Sequence, residues 1–326
     1  MEQDTAHPYD ALNPDTLLNA VESAGYRCDG RILALNSYEN RVYQMGIEDT
    51  TPVIAKFYRP GRWSDEAIQE EHTFTCALAD MEIPVVAPLK NEAGQSLFQY
   101  QEFRFSLYPR RGGRWPSLDT EDNLLWIGRF IGRIHALGAV TKFTHREAIN
   151  VDSFGQRNLN YLVDNDIIPQ EHRSRYLEIA RLLLEKIDSV FSLFSEDKEW
   201  IRLHGDCHAG NVLWTDDHGP HFVDFDDCRN GPAIQDLWML ADTTGFGNPQ
   251  TALNLIVEGY EEFHTFDYRQ YQLIEPLRSL RFIHYTTWLA KRWEDPAFPI
   301  HFPWFAEPHY WVEQIQLLEN QLAKIP

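Results

Sequence analysis

The sequence predicts an α+β chain of two lobes, a small β-rich N-lobe followed by a larger, mainly helical C-lobe. Three observations lead there. Short strand-like runs crowd residues 32–108, a Pro109-Arg110-Arg111-Gly112-Gly113 break follows them, and beyond it apolar residues recur mainly at helical spacing. A boundary at that break gives an N-lobe of residues 1–109, a hinge at 110–116 and a C-lobe at 117–326.

Asn13-Pro14-Asp15 opens the first helix. Asn13 suits the N-cap and Pro14 the first turn, with Leu17, Leu18 and Val21 on one side; the pattern stops at Gly25. The runs Ile32–Leu35, Arg41–Met45 and Val53–Tyr58 then read as strands separated by polar turns. Ser64 or Asp65 caps a helix reaching Asp80, with Ile68, Phe74, Ala77, Leu78 and Met81 at helical intervals. Val85–Lys90, Ser96–Tyr100 and Phe103–Tyr108 complete the strands.

In the C-lobe, Asp119–Leu137 presents a wide apolar stripe of Leu124, Trp126, Ile127, Phe130, Ile131 and Ile134. A second helix is expected over Glu171–Phe194, and a short amphipathic one at Ala233–Leu240. Later helices carry Tyr260, Phe263, Tyr271, Trp288 and Trp293, as core or as the floor of an acceptor site. The segment Asp295–Trp304 has Pro296, Pro299 and Pro303, too many for a helix or a central strand, and reads as a buried aromatic plug rather than an exposed ridge.

Composition narrows the function. With 326 residues and 43% apolar side chains the chain can bury a sizeable core. Its formal net charge of -20 speaks against nucleic acid and anionic membranes as partners, which need basic patches. Cys28, Cys76, Cys207 and Cys228 have no framework spacing, Met1–Thr5 is acidic where a signal peptide would be basic, and no run is long enough to span a bilayer. A reducing cytoplasm is the expected compartment.

The chemistry concentrates in Leu203-His204-Gly205-Asp206-Cys207-His208-Ala209-Gly210-Asn211 and in Phe222-Val223-Asp224-Phe225-Asp226. A His-x-Asp-x-x-x-x-Asn loop, then a hairpin turned at Asp216–Pro220, then an Asp closing an apolar run, is the layout of a phosphoryl-transfer site. Such a reaction passes through an anionic transition state that needs metal ions and an acceptor hydroxyl held in line. Asp206 would accept or orient the acceptor proton. Asn211 and Asp224 would offer hard oxygens to Mg²⁺. His and Cys residues crowd the region, but no C-x-x-C pair supports zinc.

Lys56 lies inside the most apolar strand. In a phosphotransferase it would meet the nucleotide's α- and β-phosphates, with a carboxylate of the following helix holding it. Glu71 is preferred because it shares the face of Phe74 and Leu78, and Glu70 stands as the alternative. The turn Leu35–Arg41 occupies the place of a glycine-rich phosphate loop without a single glycine, so the Ser37 hydroxyl and backbone amides are its candidate donors. Adenine would lodge against the hinge. Asp236 would hold the Asp206 loop by accepting backbone hydrogen bonds.

The stretches Leu35–Tyr43, Lys56–Pro60, Leu203–Asn211 and Asn230–Leu240, together with Asp295–Trp304, resemble the bacterial stress response kinase A family. That family lies within the aminoglycoside phosphotransferase and choline kinase group, whose fold is two-lobed and protein-kinase-like. The resemblance implies an ATP- and Mg²⁺-dependent, monomeric, cytoplasmic serine/threonine protein kinase of the stress response. Carried over, it makes Asp206 the proton acceptor, Asn211 and Asp224 the Mg²⁺ ligands with Asp224 also in the active site, and Ser37 and Lys56 ATP contacts. Unlike ordinary protein kinases, the chain has Asp226 where a glycine follows the Asp-Phe pair, and no Ala-Pro-Glu segment. A kinase of a small hydroxylated or cationic metabolite would use the same residues. A non-catalytic binding module is disfavoured, because Lys56, Asp206, Asn211 and Asp224 are all present.

Overall fold

The computed structural model describes residues 8–215, 219–244 and 246–325. The acidic N-terminal stretch Met1–Thr5 and the turn residues Asp216–His218 lie outside them. The chain forms two compact units. One runs to Leu118 and adds Thr144–Arg146 and His208–Asp227; the other holds Asp119–Phe143, Glu147–Cys207 and the chain from Cys228 onward. This interleaving is something a linear boundary at 110–116 does not express.

The first unit opens with α1 (Pro14–Ser23), whose N-cap Asn13 accepts a hydrogen bond from the Thr16 N–H at 2.9 Å. The strands β1 (Cys28–Leu35), β2 (Arg41–Ile47) and β3 (Val53–Phe57) follow, then α2 (Asp65–Asp80), β4 (Phe98–Tyr100) and β5 (Phe103–Pro109). They make an antiparallel sheet in the order β1-β2-β3-β5-β4. Strand alternation then sorts the side chains. Val53, Ala55 and Phe57 join Phe103, Phe105 and Leu107 in one core with Leu17, Ala20 and Val21, which leaves Lys56 for the opposite face. Ser64 caps α2, its hydroxyl accepting from the Ala67 N–H at 3.2 Å.

The expected strand at Val85–Lys90 does not form. Only Val85 makes an isolated bridge, to Phe222. Pro84 precedes this stretch and Pro88 interrupts it, and neither has an N–H to give a ladder, so single bonds such as Leu89 N–H to Leu107 O (2.7 Å) replace one.

The second unit contains α3 (Glu121–Gly138), α4 (Arg157–Asp164), α5 (Gln170–Phe191), the short α6 (Glu196–Glu199) and β6 (Ile201–Leu203). Helices α3 and α5 are those expected near 119–137 and 171–194. The chain next lends a hairpin, β7 (Val212–Thr215) and β8 (Gly219–Phe222), to the first unit. It returns as β9 (Arg229–Gly231), antiparallel to β6, and continues as α7 (Ile234–Asp242), α8 (Pro249–Glu261), α9 (Ile274–Ala290), α10 (Ala297–His301) and α11 (Pro308–Lys324).

Helices α3 and α8 meet backbone to backbone. A Cβ at Gly128 would stand 2.1 Å from the Ile256 carbonyl oxygen, and one at Gly259 would stand 2.1 Å from that of Leu125. Backbone cannot swing away as a side chain can. Gly128→Ala is therefore expected to cost about 1–3 kcal/mol and to lower the melting temperature in calorimetry, whereas Gly112→Ala, with open space around the added methyl, should leave it unchanged.

The proline-rich Asp295–Trp304 segment does become helical, contrary to expectation, as α10 and a 3-10 turn at Pro303–Ala306. Its prolines fall before or within first turns, where the N–H has no intrahelical partner to lose. Phe298 and Phe305 are buried while Ile300 and Trp304 face solvent, so the segment is partly plug and partly surface. Among the described residues, no helix is long and apolar enough to cross a membrane.

Candidate active site

Lys56 of β3 is almost wholly buried, at 6% exposure. Its Nζ lies 3.0 Å from Asp226 Oδ1, 3.4 Å from Asp224 Oδ1 and 3.7 Å from Glu71 Oε1. Glu71 is thus the α2 carboxylate at the lysine, and its other oxygen accepts from Arg146 Nη2 at 2.8 Å. Glu70 turns instead to the Thr144 and His145 N–H groups, at 2.7 and 2.9 Å. Arg62 completes the cluster by pairing with Asp226, with Asp227 at 2.7 Å and with Glu39 at 3.5 Å.

These charges set one another's protonation. Burial alone would strip the proton from Lys56, but Asp226, Glu71 and Asp224 outweigh it and hold the ammonium charged well beyond its ordinary range. Burial likewise would raise the Asp226 carboxyl, yet Arg62 and Lys56 bring it down from 3.8 to about 2. Burial pushes His72 down to about 3, with Lys56 adding to the shift; the neutral ring bridges the Tyr58 hydroxyl at 2.9 Å and the Ser96 hydroxyl at 2.8 Å.

A pH dependence follows from Asp226. Its folded-state pKa lies below the unfolded one, so its stabilisation is complete above roughly pH 4 and is lost as pH falls toward 2. The amount is about 2–3 kcal/mol at about 1.4 kcal/mol per unit. Asp226→Asn removes this titration and is expected to make the loss of stability between about pH 4 and pH 2 shallower, as read by denaturant unfolding at several pH values.

The hairpin places the next two residues. Val212 opposes Phe222, and one rung further the Val223 N–H donates to the Asn211 carbonyl at 3.0 Å. Asn211 and Asp224 thereby leave the root of one hairpin on adjacent strand ends. Asp224 has φ 59°, a left-handed conformation that aspartate tolerates better than most side chains, and its carboxylate is 55% exposed.

Ser37 is half-buried in the turn between β1 and β2, with no described hydrogen bond from its side chain. The turn itself is braced. Asn40 Oδ1 accepts from the Arg59 N–H at 3.1 Å, and Arg59 Nε donates to the Glu39 carbonyl at 3.0 Å and lies 3.2 Å from the Glu39 carboxylate.

Asp206 belongs to the second unit, on the loop leaving β6. Gly205 takes φ 87° there, a value that favours glycine. The loop hangs on Asp236 of α7, as its sequence position suggested: Asp236 accepts from the His204 N–H at 2.8 Å and the Gly205 N–H at 2.9 Å, and meets His135 Nε2 at 2.9 Å. Gln235 Nε2 adds a bond to the Gly205 carbonyl at 3.2 Å. Asp206 itself is partly exposed, with Oδ1 2.9 Å from Arg281 Nη1 of α9.

Four participants escape a reading of the sequence. Asp226 left a trace, as the second carboxylate of Asp224-Phe225-Asp226. Arg62, Arg146 and Arg281 left none, because no motif or periodicity connects them to their partners.

The phosphotransferase enzyme family model matches residues 31–274. The chain is 43% identical over 321 residues to stress response kinase A of Escherichia coli strain K12, covering 98% of this chain and 95% of that one. It is 42% identical over 311 residues to the serine/threonine protein kinase RdoA of Salmonella typhimurium, covering 95% and 93%. Among solved structures, amicoumacin kinase hAmiN in complex with AMP-PNP, Ca²⁺ and Ami shares the fold at TM-score 0.75 and 17% identity, over 97% of this chain and 95% of that one. Spectinomycin phosphotransferase APH(9)-Ia does so at TM-score 0.63 and 15% identity, over 94% and 98%. The β-sheet unit with its buried lysine and the helical unit with its anchored aspartate loop accord with that fold, and with kinases matching nearly end to end the chain belongs to the phosphotransferase enzyme family, in its stress response kinase A branch.

Proposed function

We propose that this phosphotransferase is an ATP- and Mg²⁺-dependent serine/threonine protein kinase of the bacterial stress response, monomeric and cytoplasmic. The observation that carries the protein acceptor is the near full-length likeness to the serine/threonine kinase RdoA. The solved kinases of antibiotics are similar at 17% identity or less and speak only for the fold.

The residues fit the metal. Asn211 offers an amide oxygen and Asp224 a well-exposed carboxylate, an all-oxygen pair. Mg²⁺ ordinarily takes one or two protein carboxylates and completes its shell with phosphates and water. Bound there, it would supply neutralisation of charge on the transferring phosphoryl group.

The chain's own residues do the rest. Lys56 keeps its charge in an interior position and meets the α- and β-phosphates, and Glu71 fixes its direction. Ser37 and the amides of its turn meet a phosphate, while residues 110–116 receive the adenine. Asp206 accepts the proton of the serine or threonine hydroxyl as that oxygen attacks, and Asp236 keeps the loop in place for it.

The test is transfer of labelled γ-phosphate from ATP in Mg²⁺ buffer to generic acidic and basic proteins, wild type against Asp206→Ala. Label on serine or threonine with wild type alone is the expected result. ATP binding without label on any protein would overturn the protein acceptor and direct attention to a small hydroxylated metabolite.

A further inference from the structure

One face of α9 is only partly covered: Ile274, Arg278, Arg281, Tyr285 and Trp288 follow one another at intervals of four and three residues, while Leu277, Leu280, Ile283, Thr287 and others are buried behind them. Arg278 is engaged within the unit, pairing with Asp242 and lying over the Trp238 ring at 4.8 Å. Arg281 differs. Among the described residues its carboxylate neighbour is Asp206 alone, at 2.9 Å, and its side chain is 39% exposed. Further along the same face Tyr285 stacks on Trp288 (5.6 Å) and on Trp304 (6.4 Å), and Tyr285 and Trp304 are 38% and 41% exposed. Trp304 comes from the proline-rich segment, and both it and Arg281 lie beyond residue 274, where the family match ends.

Taking the protein-kinase reading as given, we infer that Arg281 reads an anionic side chain of the acceptor polypeptide close to the hydroxyl that Asp206 serves, and that the Tyr285–Trp304 ledge takes an apolar side chain of the same polypeptide. The charge argument is direct. A guanidinium beside the proton acceptor repels a cationic group there and offers an acidic residue a forked donor. The spacing argues for a polypeptide. Four to seven residues of helix at about 1.5 Å each separate Arg281 from Tyr285 and Trp288, roughly 6–10 Å. An extended chain at about 3.3 Å per residue spans that in about two or three residues.

The experiment is a scan of serine and threonine peptides in which each position flanking the acceptor is fixed in turn as Asp, Ala, Lys or Leu, labelled by wild type, Arg281→Gln and Arg281→Glu. Wild type is expected to favour Asp over Lys at one position by about tenfold or more, with Leu favoured about two or three residues away. Arg281→Gln should lose the acid preference, and Arg281→Glu should invert it toward Lys. That inversion separates recognition from a mere loss of catalytic power, which would lower all peptides alike. Labelling with the same acid preference in Arg281→Glu, or with none in wild type, overturns this inference and leaves the kinase reading standing. No labelling of any peptide or protein by wild type overturns both.

Discussion

Asp206→Ala is expected to lower kcat about 10³-fold, the scale of a lost general base, while nucleotide affinity changes little. The separation follows from where the residues sit: Asp206 lies in one unit, and Lys56, Asn211 and Asp224 in the other. Its removal does not strand a buried charge either, because Arg281 is 39% exposed and water can take over the guanidinium. Single-turnover kinetics, paired with calorimetric titration by a non-hydrolysable ATP analogue, read the two quantities separately. Loss of nucleotide binding together with turnover would show that the division of roles between the two units is wrong.

Lys56→Met is expected to abolish turnover and also to destabilise the fold by about 3 kcal/mol. Methionine fills the space, but Asp226 and Glu71 would keep their burial and lose a cation each, and a broken buried ion pair costs about 3–5 kcal/mol. Arg62 and Arg146 remain as partners, which argues for the lower end. The double variant Lys56→Met/Asp226→Asn removes one anion with the cation. It should unfold at higher denaturant than additivity of the two single changes predicts, and it should stay inactive. Recovery of activity in the double variant would mean that the lysine serves only to balance charge.

Much of this was legible because it is local. Alternation gave β1 to β3 and β5, an Asn-Pro pair gave the start of α1, and a hairpin with an aspartate beyond it gave the Asn211–Asp224 arrangement. Periodicity could not separate Glu70 from Glu71, since both flank the same stripe of α2; what distinguishes them is Thr144–Arg146, a three-residue segment that packs into the first unit from far along the chain. Val85–Lys90 looked like a strand because its side chains are apolar, while the ladder depends on N–H groups that its prolines lack. Asp295–Trp304 misled in the opposite direction, proline content having been weighed without its position within a turn.

The turn from Leu35 to Arg41 has a thermodynamic meaning beyond its shape. A glycine-rich phosphate loop samples many backbone states and must be ordered by whatever anion it receives, so part of the binding free energy goes to that ordering. Here Asn40 and Glu39 are already tied to Arg59, and Glu39 also to Arg62, before any ligand arrives. The conformational entropy of this turn is surrendered when the chain folds, and under the proposed function an incoming phosphate would meet donors whose arrangement it does not have to create.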